Sequence, residues 1–183
     1  MKPEILLIRH GEAAATWREH RDPGLSELGQ QQATAVVEAL ADMAPAEILT
    51  SPLQRAQETA APLAAAWGRQ PVVDERFREI PSTVSMMMRQ SWLQDIMQSN
   101  WIDIDDEALL TWRTAAHDAL RARTESVVVF THYMVINAMA GIATKDDRTV
   151  TFRPENGSIT RLSVESGALV LVARGTERET DVL

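Results

Sequence analysis

Residues 6–17 of the chain, LLIRHGEAAATW, pass in one step from apolar side chains to Arg9 and His10. The run that begins at Ile5 is continuously apolar, which is typical of a β-strand buried on both faces of a sheet. Such strands occur mainly in α/β proteins, where helices cover both faces. The polar residues therefore stand at the carboxyl end of a buried strand, where open α/β sheets bind their ligands.

Strand and helix patterns alternate along the rest of the chain. A helix is predicted after the N-cap Ser26, with Leu28, Ala33, Val36, Val37 and Leu40 on its buried face. Ser51 is expected to cap a second helix with Pro52 in its first turn, and Pro62 is expected to kink it. Further strands are predicted at 48–50, 72–73, 126–131, 158–164 and 168–173, with helices at 109–120 and 133–141. This order predicts a single domain over residues 1–183, a three-layer α/β/α sandwich with a mostly parallel sheet.

Residues 80–105 carry a different pattern. Val84, Met88, Trp92 and Ile96 recur every four residues, and so do Leu93, Met97 and Trp101. We expect an amphipathic helix that forms a cap over the ligand site, with Arg89 as a candidate contact for a second anionic group. Ordinary core packing of the Met and Trp side chains, or an oligomer contact, are the alternatives.

Composition limits the class of partner. The chain has 183 residues and a formal net charge of −8, so we expect no nucleic-acid partner, because no basic stripe is present to neutralise phosphates. We expect no membrane partner, because no apolar stretch approaches eighteen residues. The chain has no cysteine and its N-terminus lacks a signal-peptide pattern, so we expect a cytoplasmic protein. A homodimer is left open.

Five polar residues that lie far apart in the sequence converge on the predicted strand ends. They are Arg9 and His10 after the first strand, Arg55 in the helix after the second, Glu79 after the third and His132 after the strand at 126–131. Arginines bind a tetrahedral dianion through bidentate charge-assisted hydrogen bonds, and an unprotonated imidazole attacks phosphorus. Gly11 would let the backbone approach the anion, and a buried Glu79 carboxyl would protonate the departing oxygen. Taken singly, His132, Arg55 and Glu79 are more simply a core histidine, a surface arginine and a solvated carboxylate.

Five segments of the chain together resemble the histidine phosphatase superfamily, also called the phosphoglycerate mutase-like family. They are LLIRHGEA, DPGLSELGQQQA at 22–33, ILTSPLQRAQETA at 48–60, ERFREI at 75–80 and VVVFTHYMVI at 127–136. The resemblance covers nearly the whole chain and implies a phosphoglycerate mutase-like fold. It implies that His10 is the phosphorylated nucleophile, that Arg9, Arg55 and His132 complete the phosphate pocket, and that Glu79 is the proton donor. It implies no metal and no organic cofactor, and the four histidines show no metal-ligand spacing.

Two parts of the sequence depart from the family's pattern. Sugar-phosphate mutases of the family carry Thr or Ser followed by an Asn-containing stretch where this chain has alanines at 13–15. Fewer hydrogen bonds to substrate hydroxyls are therefore expected. Tyr133 stands where the family commonly has Gly, and it is expected to narrow the pocket or to contribute a hydroxyl. Tyr133, Trp17, Gly11 and Arg89 are the candidate substrate contacts.

The residues and the resemblance predict a phosphatase of the histidine acid type. It would hydrolyse a small phosphomonoester through a phosphohistidine intermediate on His10. One alternative is a phosphoglycerate mutase-like phosphotransferase. A second is a phosphohistidine or phosphoprotein phosphatase, which favours an open pocket. A third is a non-catalytic phosphate-ligand sensor, which needs the arginines but not Glu79.

Overall fold

The computed structural model describes residues 2–16, 20–85 and 87–177. Within these residues one mixed sheet is formed by β1 (Glu4–Arg9), β2 (Glu47–Thr50), β3 (Val72–Val73), β4 (Val127–Thr131), β5 (Ile159–Glu165) and β6 (Ala168–Ala173). The strand order is β3-β2-β4-β1-β5-β6. Strands β1 to β4 pair in parallel, whereas β5 and β6 pair antiparallel. The predicted mostly parallel sheet is confirmed.

Helices cover both faces of the sheet. They are α1 (Glu27–Ala39), α2 (Gln54–Trp67), α3 (Arg89–Met97), α4 (Glu107–Arg121) and α5 (Tyr133–Thr144), with short 3-10 helices at Glu75–Phe77 and Trp101–Asp103. Side chains alternate along a strand, so Leu6 and Ile8 of β1 pack with α1 and α2. Ile5 and Leu7 pack on the other face with α4 and α5. The predicted three-layer α/β/α arrangement is confirmed.

Helix α1 begins after the predicted N-cap Ser26, but one residue of its predicted buried face and the start of α2 differ from the prediction. Leu28 is 42% exposed, because α1 turns Gly29, Ala33 and Val36 toward the sheet instead. Helix α2 begins at Gln54 with Leu53 as its N-cap, so the prediction that Ser51 caps it is wrong. The backbone N–H of Ser51 still donates to Phe130 O at 2.9 Å, which holds this residue to the sheet.

The region 80–105 contains a shorter helix than the sequence pattern predicts. Among the residues of this region that the structure describes, Arg89–Met97 alone is α-helical, and Val84 and Met88 lie outside it with 36% and 58% exposure. The helix ends because the following backbone pairs with a distant segment. Trp101 N–H donates to Asp147 O at 2.7 Å, and a second bond of 3.0 Å joins Thr149 N–H to Ser99 O. The prediction of one helix from Val84 to Trp101 is therefore wrong.

Candidate active site

The carboxyl ends of β1 and β4 form the floor of the site, which comprises Arg9, His10 and His132. These strands pair in parallel with Arg9 opposite Thr131, so the residues that follow them lie side by side. The backbone N–H of His10 donates to Thr131 O at 2.9 Å, and the rings of His10 and His132 are 5.0 Å apart between centroids. The structure thus brings together the three floor residues predicted from separate segments.

The contacts of His10 define which ring nitrogen is reactive. Its Nδ1 lies 2.7 Å from the carbonyl oxygen of Gly11, and a carbonyl only accepts, so Nδ1 carries the proton. Nε2 therefore keeps its lone pair, to which Arg55 Nε donates at 3.1 Å. Burial, followed by the positive charges of Arg55 and Arg9, holds the pKa of His10 well below its usual value. The imidazole is consequently neutral and nucleophilic at neutral pH.

His132 is fully buried and is oriented from both sides. Arg55 Nη2 lies 3.3 Å from its Nδ1, and because a guanidinium only donates, Nδ1 is the acceptor. The proton is then on Nε2, which donates to Ser51 Oγ at 2.7 Å. Burial, then His10 and the arginines, lower the pKa of His132. Ser51 thus acts on the site through His132, a role that its position before a helix does not reveal.

The two predicted arginines are both held in place by protein groups. Arg9 Nη1 donates to Pro154 O at 2.8 Å, and its guanidinium carbon lies 5.2 Å from the ring centroid of Tyr133. That distance is within the range of a cation–π contact. Arg55 projects from the first turn of α2, its side chain is 15% exposed, and Asp22 Oδ1 lies 3.9 Å from its Nη1. Both guanidinium groups reach the cavity described below.

Glu79 has the properties of a proton donor. Its Oε1 accepts from the backbone N–H groups of Ile80 at 2.9 Å and Met134 at 3.3 Å, the latter in the first turn of α5. Burial raises the pKa of this carboxyl, although those N–H groups and the charges of Arg55 and Arg9 oppose the rise. With Oε1 engaged as an acceptor, Oε2 is the oxygen that carries the proton when Glu79 is neutral.

A cavity of about 470 Å³ joins these groups. The predicted site residues that line it are Arg9, His10, Arg55, Glu79, Arg89 and Tyr133. His132 lies behind this lining and reaches the cavity through Arg55. The roof of the site is α3, which contributes Arg89, Trp92, Leu93 and Met97 to the lining.

Asn156 is a lining residue that sequence reasoning missed as part of the site. Its Nδ2 donates to the backbone oxygen of His10 at 2.9 Å, and the next N–H, of Gly157, donates to Arg9 O at 2.9 Å. In the sequence, an Asn-Gly pair such as Asn156-Gly157 indicates only a turn. In the fold this turn holds the backbone of Arg9 and His10 from the side of β5.

Gly11 is placed differently from the prediction. It is absent from the cavity lining; its N–H donates to Thr59 Oγ1 at 2.9 Å. A Cβ at this position would lie 2.5 Å from the backbone oxygen of Gly29 in α1. The absence of a side chain at Gly11 therefore lets the loop after β1 pack directly on the α1 backbone, and the approach of an anion to this residue stays a prediction. The other candidate contact, Trp17, lies outside the described residues.

The residues that the structure describes form neither a metal site nor a membrane-spanning helix. Across residues 2–16, 20–85 and 87–177, three or more His, Asp or Glu side chains nowhere gather in a group able to hold a metal ion. Over the same part of the chain, each helix is too short or too polar to cross a bilayer.

One family model matches nearly the whole chain, including all the segments that form the site. The family model of the histidine phosphatase superfamily (branch 1) matches residues 5–176. The match contains β1 with its Arg9-His10 end, the helix that carries Arg55, Glu79 and the β4 end with His132. The resemblance inferred from the sequence is confirmed.

Individual relatives match over shorter stretches. A glucosyl-3-phosphoglycerate phosphatase of Mycolicibacterium vanbaalenii is 37% identical over 79 residues, which are 41% of this chain and 35% of the relative. A probable phosphoglycerate mutase of Erwinia tasmaniensis is 36% identical over 81 residues, 42% of this chain and 38% of the relative. These alignments therefore span little more than a third of each relative. The native structure of a mycobacterial glucosyl-3-phosphoglycerate phosphatase superposes with a TM-score of 0.75 at 22% identity, over 97% of this chain and 100% of that chain, which establishes the shared fold.

Proposed function

Because this chain belongs to the histidine phosphatase superfamily (branch 1), we propose that it is a phosphatase that hydrolyses a small phosphomonoester through a phosphohistidine on His10. The observation that carries the proposal is the state of His10. Its Nδ1 is bonded to Gly11 O, and its Nε2 keeps a lone pair beside Arg55 and at the cavity. A neutral, oriented imidazole next to a guanidinium is what an in-line attack on a phosphoryl group needs.

The first half of the reaction transfers the phosphoryl group to the enzyme. Arg55 exchanges its bond to His10 Nε2 for the phosphoryl oxygens, and Arg9 provides a second cation, which stabilises the charge of the transition state. The Nε2 lone pair of His10 forms the bond to phosphorus while the ester P–O bond breaks. Glu79 gives its proton to the departing oxygen, so the alcohol leaves neutral and Glu79 becomes a carboxylate.

The second half restores the free enzyme. The Glu79 carboxylate takes a proton from a water molecule, whose oxygen attacks the phosphorus of phosphohistidine as the P–N bond breaks. Inorganic phosphate leaves, and His10 returns to its neutral form with the proton still on Nδ1. The order of product release, alcohol before phosphate, predicts ping-pong kinetics.

The histidine acid phosphatase type and independence from metals are part of the same proposal. The raised pKa of Glu79 supports an acid step. Arg9 and Arg55 supply positive charge that a metal ion provides in other phosphoryl-transfer sites. We expect chelators to leave turnover unchanged. Two expectations stay predictions from the sequence: a cytoplasmic location, and the absence of nucleic-acid and membrane partners. The sequence leaves a homodimer open.

Three observations favour hydrolysis of small esters over the alternatives. Ala13 and Ala15 line the cavity and offer no hydroxyl to orient a sugar phosphate for return transfer, which disfavours a mutase. Helix α3 lines the cavity with Trp92, Leu93 and Met97, and we expect it to limit access, which disfavours a phosphoprotein or phosphohistidine substrate. Glu79, with its raised pKa, has no use in a phosphate sensor, which needs only the arginines.

The test is a panel of phosphomonoesters at mildly acidic and neutral pH, with free phosphate as the readout. Labelled substrate quenched in alkali is expected to leave acid-labile phosphate on the protein. His10→Gln removes the nucleophile, so turnover should fall by about 10⁴-fold or more and the label should disappear. His117→Gln is the matched control, because His117 is a partly exposed residue of α4 that does not line the cavity; its Nδ1 lies 3.4 Å from Asp118 Oδ1. Label that survives in His10→Gln would overturn the proposal, and product analysis with a sugar acceptor distinguishes transfer from release.

A further inference from the structure

The proposed reaction assigns no role to Asn137, a polar residue in the interior of the apolar helix α5. Its neighbours from Tyr133 to Gly141 are all buried, and Asn137 itself is fully buried. Burying an amide costs free energy unless its polar atoms are hydrogen-bonded. The partners of this side chain therefore indicate which parts of the molecule it holds together.

The carboxamide of Asn137 bonds in two directions. Its Oδ1 accepts from the backbone N–H groups of Thr151 at 2.8 Å and Phe152 at 3.1 Å. Its Nδ2 donates to the carbonyl oxygen of Tyr133 at 3.1 Å, one turn earlier in α5. Only this orientation of the amide satisfies both sides, because N–H groups donate and a carbonyl accepts. Asn137 thus ties the first turn of α5 to residues 151–154, which we call the strap.

Both sides of this connection lead to Arg9. The strap ends at Pro154, whose carbonyl oxygen accepts from Arg9 Nη1 at 2.8 Å. The ring of Tyr133 has its centroid 5.2 Å from the guanidinium carbon of Arg9. The Tyr133 hydroxyl also donates to Phe152 O at 3.4 Å, which joins the ring to the strap. Two contacts of the Arg9 guanidinium therefore come from groups that Asn137 holds in place.

The turn that follows the strap holds the backbone of His10 and has an anchor of its own. Glu155 N–H donates to Thr176 O at 2.8 Å, so this turn is bonded to the segment after β6. Loss of the Asn137 amide should therefore disturb Arg9 more than it disturbs the nucleophile.

Restraint matters for Arg9 because a guanidinium binds phosphoryl oxygens through a rigid fork of N–H donors, which requires one orientation. A free arginine side chain explores many rotamers, and binding has to select one of them at an entropic cost. Contacts that fix the guanidinium before the substrate arrives reduce this cost.

We propose that Asn137 is a positioning residue, which holds Arg9 in the orientation that binds the phosphoryl group through the strap and the Tyr133 ring. The inference rests on the proposed function, in which Arg9 stabilises the charge of the transition state. Asn137 does not line the cavity, so it acts without touching the substrate.

The test begins with Asn137→Leu, which keeps the size of the side chain and removes its hydrogen bonds. We expect kcat/KM to fall by about tenfold or more. Ethyl phosphate and nitrophenyl phosphate should lose equally, because Arg9 acts on the phosphoryl group and not on the leaving group. The affinity for inorganic phosphate, measured by calorimetry, should fall as well.

A double-mutant cycle identifies the route of the effect. Arg9→Met removes the guanidinium, so in that background Asn137→Leu should lower kcat/KM and phosphate affinity by less than about twofold further. A purely structural defect would instead multiply with the loss caused by Arg9→Met.

Two further variants make the result interpretable. Leu40→Ala is the control for general destabilisation, because Leu40 is buried on the opposite face of the sheet and does not line the cavity. Its kcat/KM per folded molecule should equal that of the wild type. Asn137→Ser serves if the leucine variant does not fold: its hydroxyl can donate to Tyr133 O, but the strap loses its acceptor, so a smaller loss of the same kind is expected.

The outcomes separate this inference from the proposed function. Unchanged kcat/KM and phosphate affinity in the Asn137 variants, or losses that multiply with that of Arg9→Met, would overturn the inference while the phosphatase activity stands. If the wild-type protein hydrolyses no monoester, the proposed function fails, and the phosphate-binding cycle still decides whether Asn137 acts through Arg9. Losses that disappear in the Arg9→Met background support the inference.

Discussion

The floor and the roof of the site are built in opposite ways. The floor residues follow two central strands whose apolar side chains are fully buried, and their backbone groups are bonded from both sides by Thr131 and Gly157. The roof, α3, has nine residues, none of them buried, and no side-chain cap. Its apolar side chains pack only on a small cluster around Ile80 and Met134.

This difference suits the floor to holding the reacting groups and the roof to selecting the substrate. A nucleophile must be held to within a fraction of an ångström, which a buried strand end achieves because the sheet and two helix layers restrain it. A roof of partly buried Trp, Leu and Met side chains can adapt to differently shaped ligands at low cost. We expect substitutions in the floor and at Glu79 to change rate and stability steeply, and substitutions in the roof to change substrate preference mildly.

After the loss expected for His10→Gln, the next largest effect is expected at Glu79, the proposed proton donor between floor and roof. Glu79→Gln keeps the acceptor for the Ile80 and Met134 N–H groups but cannot supply a proton. Turnover of alkyl phosphates should fall by about 10³-fold, whereas nitrophenyl phosphate, whose leaving group needs little protonation, should lose much less. Equal losses for the two substrates would show that Glu79 is not the acid.

The rigidity of the floor is tested by Gly11→Ala. The new Cβ would lie 2.5 Å from the α1 backbone at Gly29 O, so the loop after β1 or the helix must shift. A loss of about 2 to 3 kcal/mol in the free energy of unfolding is expected, together with weaker vanadate binding. Gly68→Ala is the control: its φ of 60° is strained for alanine, but nothing lies within 4 Å, so about 1 kcal/mol is expected there. Similar losses for both variants would mean that the floor is not tightly packed.

Low pH should lower the free energy of unfolding through the two floor histidines, His10 and His132. The pKa values of His10 and His132 are held below the ordinary histidine value, so below about pH 6.5 the unfolded chain binds protons that the folded chain does not. The free energy of unfolding should therefore fall with decreasing pH, by at most about 1.4 kcal/mol per pH unit for each histidine. Glu79, whose pKa is raised, acts in the opposite direction above about pH 4.5, so the measurement is made in the Glu79→Gln background.

Urea titrations at a series of pH values measure this dependence. Replacing His132 by Gln in that background should reduce the slope, because one buried neutral histidine is removed. An unchanged slope would show that His132 is protonated in the folded protein as readily as in the unfolded chain.

The smallest effects are expected in the roof. Leu93→Ala removes a partly buried side chain that lines the cavity, so the free energy of unfolding should fall by only about 1 kcal/mol. Because the substitution widens the opening of the cavity, activity on a phosphopeptide should rise by a few-fold relative to activity on ethyl phosphate. Leu110→Ala on α4, 38% exposed and away from the cavity, is the control. An unchanged activity ratio would leave α3 as packing or an oligomer contact rather than a cap.

The end of β1 shows why much of the site could be predicted. A strand buried on both faces must be continuously apolar, so the switch at Arg9 marks the strand end within the local sequence. The same logic located His132 after β4 and Arg55 in the helix after β2. Because parallel strands end at one edge, their separate positions along the chain implied a shared site.

The roles of residues that act through distant partners could not be predicted from local sequence patterns. Ser51 holds the proton of His132, 81 positions away, and Asn156 holds the backbone of His10, 146 positions away. The neighbour that makes Gly11 obligatory is Gly29, and α3 ends where its backbone turns to pair with residues 147–149. Strand and helix order and the identity of the chemical groups were determined by the sequence itself, since periodicity and residue type are local properties. The proton positions on the two histidines and the extent of the roof were decided only by the tertiary structure, because each depends on contacts between segments that no local pattern brings together.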